Sequence, residues 1–317
     1  MPQQAGMMNT FNTPQYAGEL FTADTAVTPF LSMIGGLTGG MQTDNNEFPT
    51  AVLFDYPAPV QPEITETESA TAPQGKFLTR DQEKNVVQLF HETVEITYVR
   101  QSNSGKMSGI NTARDNPNPP NELDWQIAEK LKIVARNVEH TFINGTYQLS
   151  ANANQANKTR GMLELIQGSV IDAAGGALSK AMLNSLYKEM ADNGAYLNNM
   201  VMFVNSTLMQ KISDIYAGTA GFIQPATRTV GGIAIKEILT DFFSFGIVYN
   251  KFVPQDTILL ADVAHIAPVF QTTPGKGNFF LEELAKVGAA DRHQLFGQIG
   301  LAHGPEFLHG KIIGATA

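Results

Sequence analysis

The segment from Asn121 to Gly145 constrains the fold most, because it predicts one long helix with both ends marked. Pro119 and Pro120 cannot continue a helix from upstream, and Asn121 can accept a hydrogen bond from the unpaired amides that open a new one. The Asn-Gly pair that closes the segment suits a left-handed C-terminal cap. A helix over 122–143 would be roughly 33 Å long at 1.5 Å per residue. We call it the spine helix.

One face of the spine helix is apolar. Six apolar residues follow one another at steps of three or four, which places them on a single stripe. We predict that this stripe packs against a core; its members are Leu123, Ile127, Leu131, Val134, Val138 and Phe142. The opposite face carries Lys132, Arg136, His140, Trp125 and Ile133. That face is either solvated, with a partly covered Trp, or a contact with other subunits.

Composition bounds the class of protein. With 317 residues, 43% of them hydrophobic, the chain can bury a large core, and its length predicts about two domains. The net charge of −9 and the pI near 5.2 argue against a surface built to grip nucleic acid, because such binding needs a basic stripe. Any contact with DNA is therefore expected to be weak and non-specific.

Neither a membrane span nor a disulfide is predicted. No apolar run approaches the roughly 20 residues needed to cross a bilayer, and the N-terminal sequence lacks a basic segment followed by an apolar one. We therefore predict an intracellular protein with no membrane partner. The absence of cysteine excludes disulfides and thiolate metal ligands.

Residues 1–46 are rich in Gln, Asn, Thr and Gly and predict an arm rather than a domain. One apolar island interrupts the arm. Thr28 suits an N-cap, Pro29 the first helical position and Gly35 the end of a short helix. The anchors of this docked helix would be Phe30, Leu31 and Ile34.

A long extended loop follows the arm. Residues 47–54 suit a strand, and the prolines that come next exclude a central sheet position. Apolar and polar residues alternate over 90–98, which predicts a second strand paired with the first. Charged residues lie between them at Glu63, Glu66, Glu68, Lys76 and Arg80. A lone hairpin is marginal in water, so the loop is either a reaching arm completed by a neighbour or a mobile flap.

The second half of the chain predicts an α/β unit over about 165–265. Its elements are a helix over 178–192, a strand over 200–204 covered on both faces, a helix to Tyr216, and strands over 232–239, 246–250 and 257–261. From Phe279 onward the pattern changes to long strands interrupted by glycines. We predict that these strands return to cover the spine helix.

No catalytic, cofactor or metal site is predicted. The sequence around Gly275 lacks the spacing of a phosphate loop, and no GxGxxG, GxSxG or HExxH pattern occurs. Of the six histidines, His303 and His309 are the pair that could meet in space, but no carboxylate stands at the spacing that a metal site prefers. The cluster of Glu63, Glu66 and Glu68 lacks the glycine and the ligand spacing of a calcium loop. A solvated or partner-facing acidic tip is the better interpretation.

Taken together, the TPFL island, the proline-flanked loop, the NELDWQIAEKLKIVARNVEHTFING stretch and the α/β unit resemble the major head protein of tailed bacteriophages. The resemblance is strongest to the head proteins of short-tailed phages with elongated heads. It covers essentially the whole chain and rests on the order of elements rather than on an active-site motif.

The resemblance implies the α+β, HK97-like capsid fold. Carried onto this sequence, the N-terminal arm is 1–46, the extended loop 47–98, the peripheral domain 99–164 plus 270–317, and the axial domain 165–269. The implied function is self-assembly of hexamers and pentamers into an icosahedral or elongated shell around double-stranded DNA, in the virion. The extended loop would lie over one neighbour and the arm would cross beneath another.

The resemblance also implies residue roles and partners. The acidic tip should meet basic groups of a neighbour, and Lys76 or Arg80 should meet acids, because complementary charge fixes register. Lys132 and Arg136 would face the interior and touch DNA weakly. Further partners are a portal protein and potential decoration proteins. Some relatives carry an N-terminal scaffolding extension of about a hundred residues; because about 46 precede the loop here, scaffolding is expected from a separate protein or from a segment already removed. Lys76 lies in the element where some relatives form a Lys-Asn crosslink, but none is assigned here. Assembly is expected in the host cytoplasm.

Three alternatives remain open from sequence. An encapsulin-like nanocompartment would share the fold but enclose enzyme cargo. A tail or baseplate protein would form tubes or rings instead of closed shells. An intracellular α/β enzyme is disfavoured because no catalytic constellation is found, and a clustered acid, base and nucleophile would restore it.

Overall fold

The structure is a computed structural model that describes residues 28–54, 58–72, 75, 77–102, 122–217, 223–230, 233–240 and 243–317. Three predicted features lie outside the described residues: the first 27 residues of the arm, Lys76, and the helix start at Asn121.

Helices and strands follow one another without a regular strand-helix-strand repeat, in agreement with the predicted α+β class. The helices of the described residues are α1 (Pro29–Ile34), α2 (Glu66–Ser69), α3 (Tyr98–Ser102), α4 (Glu122–Asn144), α5 (Met162–Leu165), α6 (Lys180–Asp192) and α7 (Ser206–Ala217). The strands are β1 (Met41–Thr43), β2 (Glu47–Phe54), β3 (Arg80–Val86), β4 (Gln88–Thr97), β5 (Val170–Asp172), β6 (Met200–Val204), β7 (Ile223–Val230), β8 (Ile233–Leu239), β9 (Ser244–Tyr249), β10 (Ile258–Asp262), β11 (Ala267–Gln271), β12 (Phe279–Glu283), β13 (Ala290–Ala302) and β14 (Gly310–Ile313). Short 3-10 turns lie at Val263–His265 and Glu306–Leu308.

A five-stranded peripheral sheet is built around β13. Strand β4 pairs antiparallel along one edge of β13, from Thr97 opposite Ala290 to Gln88 opposite Ile299. Strands β12 and β11 share the other edge, and β1 adds to β11 in parallel. The spine helix, α4, packs on β4 and β13. The prediction that the C-terminal strands cover the spine helix is therefore confirmed for β13.

A seven-stranded axial sheet has the order β5-β14-β10-β6-β9-β8-β7. It is mixed, because β6 pairs with β9 in parallel and with β10 antiparallel. Helices α6 and α7 begin and end within two residues of the predicted bounds, and Ser179 caps α6 by accepting a hydrogen bond from the Met182 amide at 3.3 Å. The α/β unit predicted from sequence is therefore present.

The third sheet is a two-stranded ribbon, which we define as residues 47–86, namely β2, β3 and their connection. Here the sequence-based pairing was wrong. The partner of β2 is β3, and the alternating segment β4 pairs with β13 instead. The reason is burial: Phe90, Val94 and Ile96 need an apolar cover that the spine helix and peripheral sheet provide.

The predicted domain bounds also need correction at the C-terminus. Strand β14 does not cover the spine helix, since it pairs with β10 and β5 in the axial sheet. The chain turns between the two sheets after β13, through Gly304 at φ +65°, where an added Cβ would lie 3.0 Å from the His265 carbonyl oxygen. Ile312 is thereby buried in the axial core.

Two apolar cores share the central strands of the axial sheet. Alternate residues of β6 face opposite cores, with Val201 and Phe203 on one side and Met200 on the other. The first core joins α1, the C-terminal half of the spine helix and the peripheral sheet, and the second is covered by α6 and α7. The prediction that residues 200–204 are covered on both faces is confirmed.

Candidate assembly surfaces

The base of the ribbon is fixed rigidly to the body of the subunit. Asn85 is fully buried; its Nδ2 donates to the Leu301 carbonyl at 2.8 Å, and its Oδ1 accepts from the Arg160 amide at 2.7 Å. Phe48 packs so closely on β13 that a Cβ on Gly300 would lie 2.8 Å from its ring. The ribbon therefore leaves the subunit in one direction, because both of its strands are clamped at the base.

Beyond this base the ribbon exposes apolar side chains. Phe77 is 97% exposed, Val60 82% and Ile64 71%. Further exposed members of the same segment are Val52, Phe54 and Leu78. Several large apolar side chains exposed in one segment suit a contact with another molecule.

The acidic residues of the ribbon form its tip. Thr65 and Glu68 make a capping box at the start of α2, in which the Glu68 amide donates to the Thr65 hydroxyl and the Thr65 amide to the Glu68 carboxylate. The hydrogen bonds that the Thr65 amide and the Thr65 hydroxyl donate to the carboxylate lower the pKa of Glu68. Glu68 therefore holds the tip together, while Glu63 and Glu66 are exposed and no ion pair among the described residues includes them. Arg80 is exposed at the start of β3, opposite Phe54.

The C-terminal half of the spine helix carries its buried residues. Val134, Val138 and Phe142 are at most 1% exposed and lie in the first core. Leu123 and Ile127, in the first and second turns of the helix, are only half-buried.

Leu131 corrects the sequence prediction, because it is 41% exposed and not part of the core. The covered arc of the helix changes along its length. In the N-terminal half the contact runs through Lys130, whose ammonium lies 2.8 Å from the Glu92 carboxylate on β4. Toward the C-terminus the arc widens to include Glu139 and Ile143. Leu131 is N-terminal to the point where the covered arc widens, and at that point none of the described elements covers its side of the helix.

The opposite face of the spine helix is amphipathic. Trp125 and Ile133 are 42% and 37% exposed. Lys132 pairs with Glu129 at 3.0 Å, and Arg136 is half-buried with an Nε that has no hydrogen-bond partner among the described residues. A shallow groove on this face is lined by Ile133, Arg136, Asn137, His140 and Phe252. A surface with exposed aromatic and aliphatic residues beside cations suits a contact between subunits.

Glu139, like Asn85, is a buried polar residue that sequence reasoning missed. It is fully buried on the spine helix and accepts hydrogen bonds from the Phe30 and Leu31 amides of α1, at 3.0 and 2.6 Å, and from Asn250 Nδ2 at 2.5 Å. Thr28, predicted as the N-cap of α1, makes no side-chain cap bond. The signal available in the sequence was an acid next to Val138, at the edge of the apolar stripe.

His303 and His309 do meet in space, but as a hydrogen-bonded structural pair. His309 Nε2 donates to the His303 carbonyl at 2.7 Å, and His309 Nδ1 accepts from the Asp262 amide at 3.2 Å. His303 Nδ1 donates to the Gly304 carbonyl at 2.8 Å, and its Nε2 lies 3.3 Å from the Thr50 hydroxyl of the ribbon. The pair therefore ties both sheets and the ribbon base together.

These two rings predict acid sensitivity. Burial lowers the pKa of both His303 and His309 from 6.5 to about 4. In the unfolded chain they bind protons below pH 6.5, so their contribution to stability is complete above that pH and is lost as the pH falls toward 4. Protonation of each ring is expected to lower the free energy of unfolding by about 3 kcal/mol as the pH falls from 6.5 to 4. Urea unfolding of unassembled subunits between pH 7.5 and 4.5 measures the loss.

The control variants separate these rings from other acid effects. His309→Gln should be less stable at pH 7.5 but should lose less stability on acidification. His140→Gln, at an exposed position on the spine helix, should follow the wild-type curve. If the free energy of unfolding of His309→Gln falls as steeply toward acid as that of the wild type, His309 does not cause the acid sensitivity.

The described residues hold neither a metal-binding cluster nor a membrane-spanning helix. No group of three or more His, Cys, Asp or Glu side chains there is arranged to hold a metal ion. None of the helices in the described part of the chain is both long and apolar enough to cross a bilayer. The features that stand out are surfaces: the ribbon, the partly exposed face of the spine helix that carries Trp125 and Ile133, and helix α1, which we call the arm anchor.

Comparison of the whole fold with solved structures gives capsid and encapsulin shells. A chain of the cyanophage A-1(L) capsid matches with a TM-score of 0.62 at 11% identity, covering 96% of this chain and 97% of that one. The SrpI encapsulin of Synechococcus elongatus PCC 7942 matches with a TM-score of 0.60 at 12% identity, covering 96% and 92%. Mycobacterium phage Patience gives 0.57 at 12% identity, covering 91% and 84%. These matches establish the HK97-like fold.

Sequence comparison decides the family. A search of curated proteins found no match. The family model described as SU10 major capsid protein matches residues 3–316, which is nearly the full chain. The resemblance to phage head proteins that the residue pattern implied is thereby confirmed, and so is a structural role in a multimeric shell of the virion. The chain belongs to the SU10 major capsid protein family.

Proposed function

We propose that copies of this major capsid protein form hexamers and pentamers that close an icosahedral or elongated head around double-stranded DNA. In this arrangement the ribbon of each subunit lies over one neighbour and its N-terminal arm crosses beneath another. Head-to-tail contacts of this type generate rings when the rotation between copies closes.

The observation that carries this proposal is the exposed apolar surface of the ribbon. A two-stranded ribbon is marginal in water by itself, and this one leaves Phe77, Val60 and Ile64 at least 71% exposed. Because its base is clamped by Asn85 and Phe48, the ribbon projects from the subunit instead of covering it. A neighbouring copy can cover these side chains without any further folding of the chain that carries the ribbon.

Charge supports the same arrangement. Glu63 and Glu66 at the tip would meet basic groups of the neighbour, and Arg80 or Lys76 would meet acids, which fixes register more than affinity. Lys132 and Arg136 on the spine helix would face the interior. Since Lys132 already pairs with Glu129 at 3.0 Å, its attraction for DNA is reduced, in keeping with weak, non-specific contact.

Three further kinds of protein would act together with the shell. A portal protein would occupy one vertex, a separate scaffolding protein would direct closure, and decoration proteins would bind the outer surface. Assembly would take place in the host cytoplasm before the head becomes part of the virion.

A second candidate is an encapsulin-like compartment. The similarity of this fold to the SrpI encapsulin, with a TM-score of 0.60, is close to its similarity to the cyanophage capsid at 0.62. The family match to a major capsid protein favours the phage head. The two candidates share the shell and differ in what it contains.

Electron microscopy of the protein, expressed alone and with its packaging partners, tests the proposal. We expect closed shells or capsomer rings, with DNA inside when packaging is complete. Particles that contain a folded enzyme and no genome would favour the encapsulin-like compartment. Tubes, or a compact monomer at high concentration with the ribbon folded onto its own body, would contradict the shell.

A further inference from the structure

Glu139 joins three parts of the subunit at one carboxylate. It lies on the spine helix and its two oxygens accept the Phe30 and Leu31 amides at 3.0 and 2.6 Å. Its Oε1 also accepts Asn250 Nδ2, which comes from the end of β9 in the axial sheet. Asn250 is itself held, since its Oδ1 accepts from the Phe252 amide at 2.8 Å. The arm anchor, the spine helix and the axial sheet therefore meet at this residue.

Helix α1 depends on this carboxylate for its first turn. Thr28 gives no side-chain cap, so the Phe30 and Leu31 amides have Glu139 as their side-chain acceptor. The rest of α1 is held by packing, including an edge contact between the rings of Phe30 and Phe203 with centroids 5.2 Å apart. Helix α1 is the first described element of the arm, so its position fixes where the described part of the arm is attached to the subunit.

We propose that Glu139 is a positioning residue for the N-terminal arm, and that gain or loss of a proton at its carboxyl group sets how firmly α1 is held against the spine helix. The consequence for arm exchange between subunits rests on the proposed function. The contact itself is a property of the single chain.

The surroundings of Glu139 supply burial without a countercharge. Along the spine helix the charged or titratable residues nearest to it in sequence are Arg136 and His140. Lys251 follows Asn250 on the axial side, and the 3-10 turn that contacts α1 carries the ion pair of Asp262 and His265 at 2.9 Å. Helix α1 has no titratable side chain. No ion pair among the described residues includes Glu139, so its charge is stabilised by the three hydrogen bonds alone.

The direction of the pH effect follows from this burial. Burial raises the pKa of Glu139 to about 7, and the hydrogen bonds from Leu31, Phe30 and Asn250 oppose the shift without cancelling it. Undocking α1 admits water and returns the pKa toward its ordinary 4.5. The docked form thus binds the proton more tightly, and acidification favours docking. Between pH 8 and pH 5.5 the docking equilibrium should strengthen by roughly 30-fold.

Hydrogen exchange of the full-length, unassembled subunit tests the proposal. We measure the amides of Phe30 and Leu31 between pH 5.5 and 8 and correct each rate for the intrinsic pH dependence of exchange. The wild type should show an opening constant roughly 30-fold smaller at pH 5.5 than at pH 8. The buried histidines weaken the whole subunit toward acid, so global unfolding would change these amides in the opposite direction.

Two variants complete the test. Glu139→Gln cannot titrate, so the opening constant of its α1 amides should not vary with pH. Glu129→Gln, the same change on the solvent-facing side of the same helix, should keep the wild-type profile. A flat wild-type profile, or a pH dependence that persists in Glu139→Gln, would overturn the proposal. If Glu139→Gln does not fold, the wild-type profile and the carboxyl titration of Glu139 by 13C NMR decide.

The test separates this inference from the proposed function. Shells that form normally from a chain with a flat α1 profile would overturn the role of Glu139 and leave the capsid assignment intact. A pH-dependent opening of α1 in a chain that never forms shells would support the role of Glu139 and contradict the proposed shell.

Discussion

Replacing Val134 with Asp is expected to abolish folding of the subunit, whereas the same substitution at Leu131 is expected to leave it folded. Val134 is 1% exposed and lies in the first core, so an Asp there must either be buried charged or take up a proton. Burying an unpaired carboxylate costs several kcal/mol, and the apolar contacts of Val are lost as well. The sum is comparable with the total stability of a domain, about 5–15 kcal/mol.

Leu131 provides a matched control on the same helix, three residues away. It is 41% exposed, so its Asp side chain can stay hydrated and the stability should change by about 1 kcal/mol or less. Soluble yield, far-UV circular dichroism and urea unfolding of both variants measure the difference. A Val134→Asp subunit as stable as the wild type would contradict the core position of Val134. An unfolded Leu131→Asp subunit would show that Leu131 is covered after all.

This pair of residues also shows how far helical periodicity reaches. The pattern predicted a helix over 122–143, and α4 spans Glu122–Asn144. Periodicity assigns an angle around the helix axis to each residue, and Leu131 and Val134, about 60° apart at 3.6 residues per turn, fall on the same predicted stripe. What differs is whether another strand or helix packs against the spine helix at each residue's position along the helix axis. This depends on β4 and α1, which come from distant parts of the chain.

Strand pairing was less predictable than strand position. The alternation over 90–98 predicted β4 correctly, but its partner is β13, whose residues come 193 (Ala290 opposite Thr97) to 211 (Ile299 opposite Gln88) positions later in the chain. Strand β3, the true partner of β2, has the sequence RDQEKNV and no apolar alternation, because most of the ribbon is exposed on both faces. A period-two search finds strands with one buried face, so it passes over this one.

The polar residues that organise the subunit were not found from sequence. Asn85 bonds to Leu301, 216 positions away, and Glu139 bonds to Leu31, 108 positions away. A buried polar residue is tolerated because its partners satisfy it, and those partners are brought together by the whole fold. In sequence, Glu139 differs from any surface acid only by its place beside an apolar stripe. The acidic tip was easier to predict, since its members lie within six residues and outside any apolar pattern.

Replacing Glu63 and Glu66 together with Lys is expected to leave a folded, soluble subunit that assembles poorly. Both carboxylates are exposed at the ribbon tip, so the reversal should not change the urea midpoint of the isolated subunit. In the proposed shell the tip meets basic groups of a neighbour, and like charges placed there cost several kcal/mol per contact. Because every subunit repeats the contact, we expect the yield of closed shells to fall by at least about tenfold. Size-exclusion chromatography and electron microscopy measure this yield.

Two further variants make the result specific to charge at the tip. Glu68 is left unchanged in the double reversal because it closes the capping box of α2; Glu68→Gln alone tests whether the shape of the tip matters without reversing charge. Asp192→Lys with Asp214→Lys adds the same amount of positive charge at exposed positions of α6 and α7. If that control pair lowers the shell yield as much as the tip reversal, net charge rather than the tip governs assembly. Normal shells from the Glu63 and Glu66 reversal would remove the acidic tip from the assembly contact, and the exposed apolar residues of the ribbon would then have to supply the whole of it.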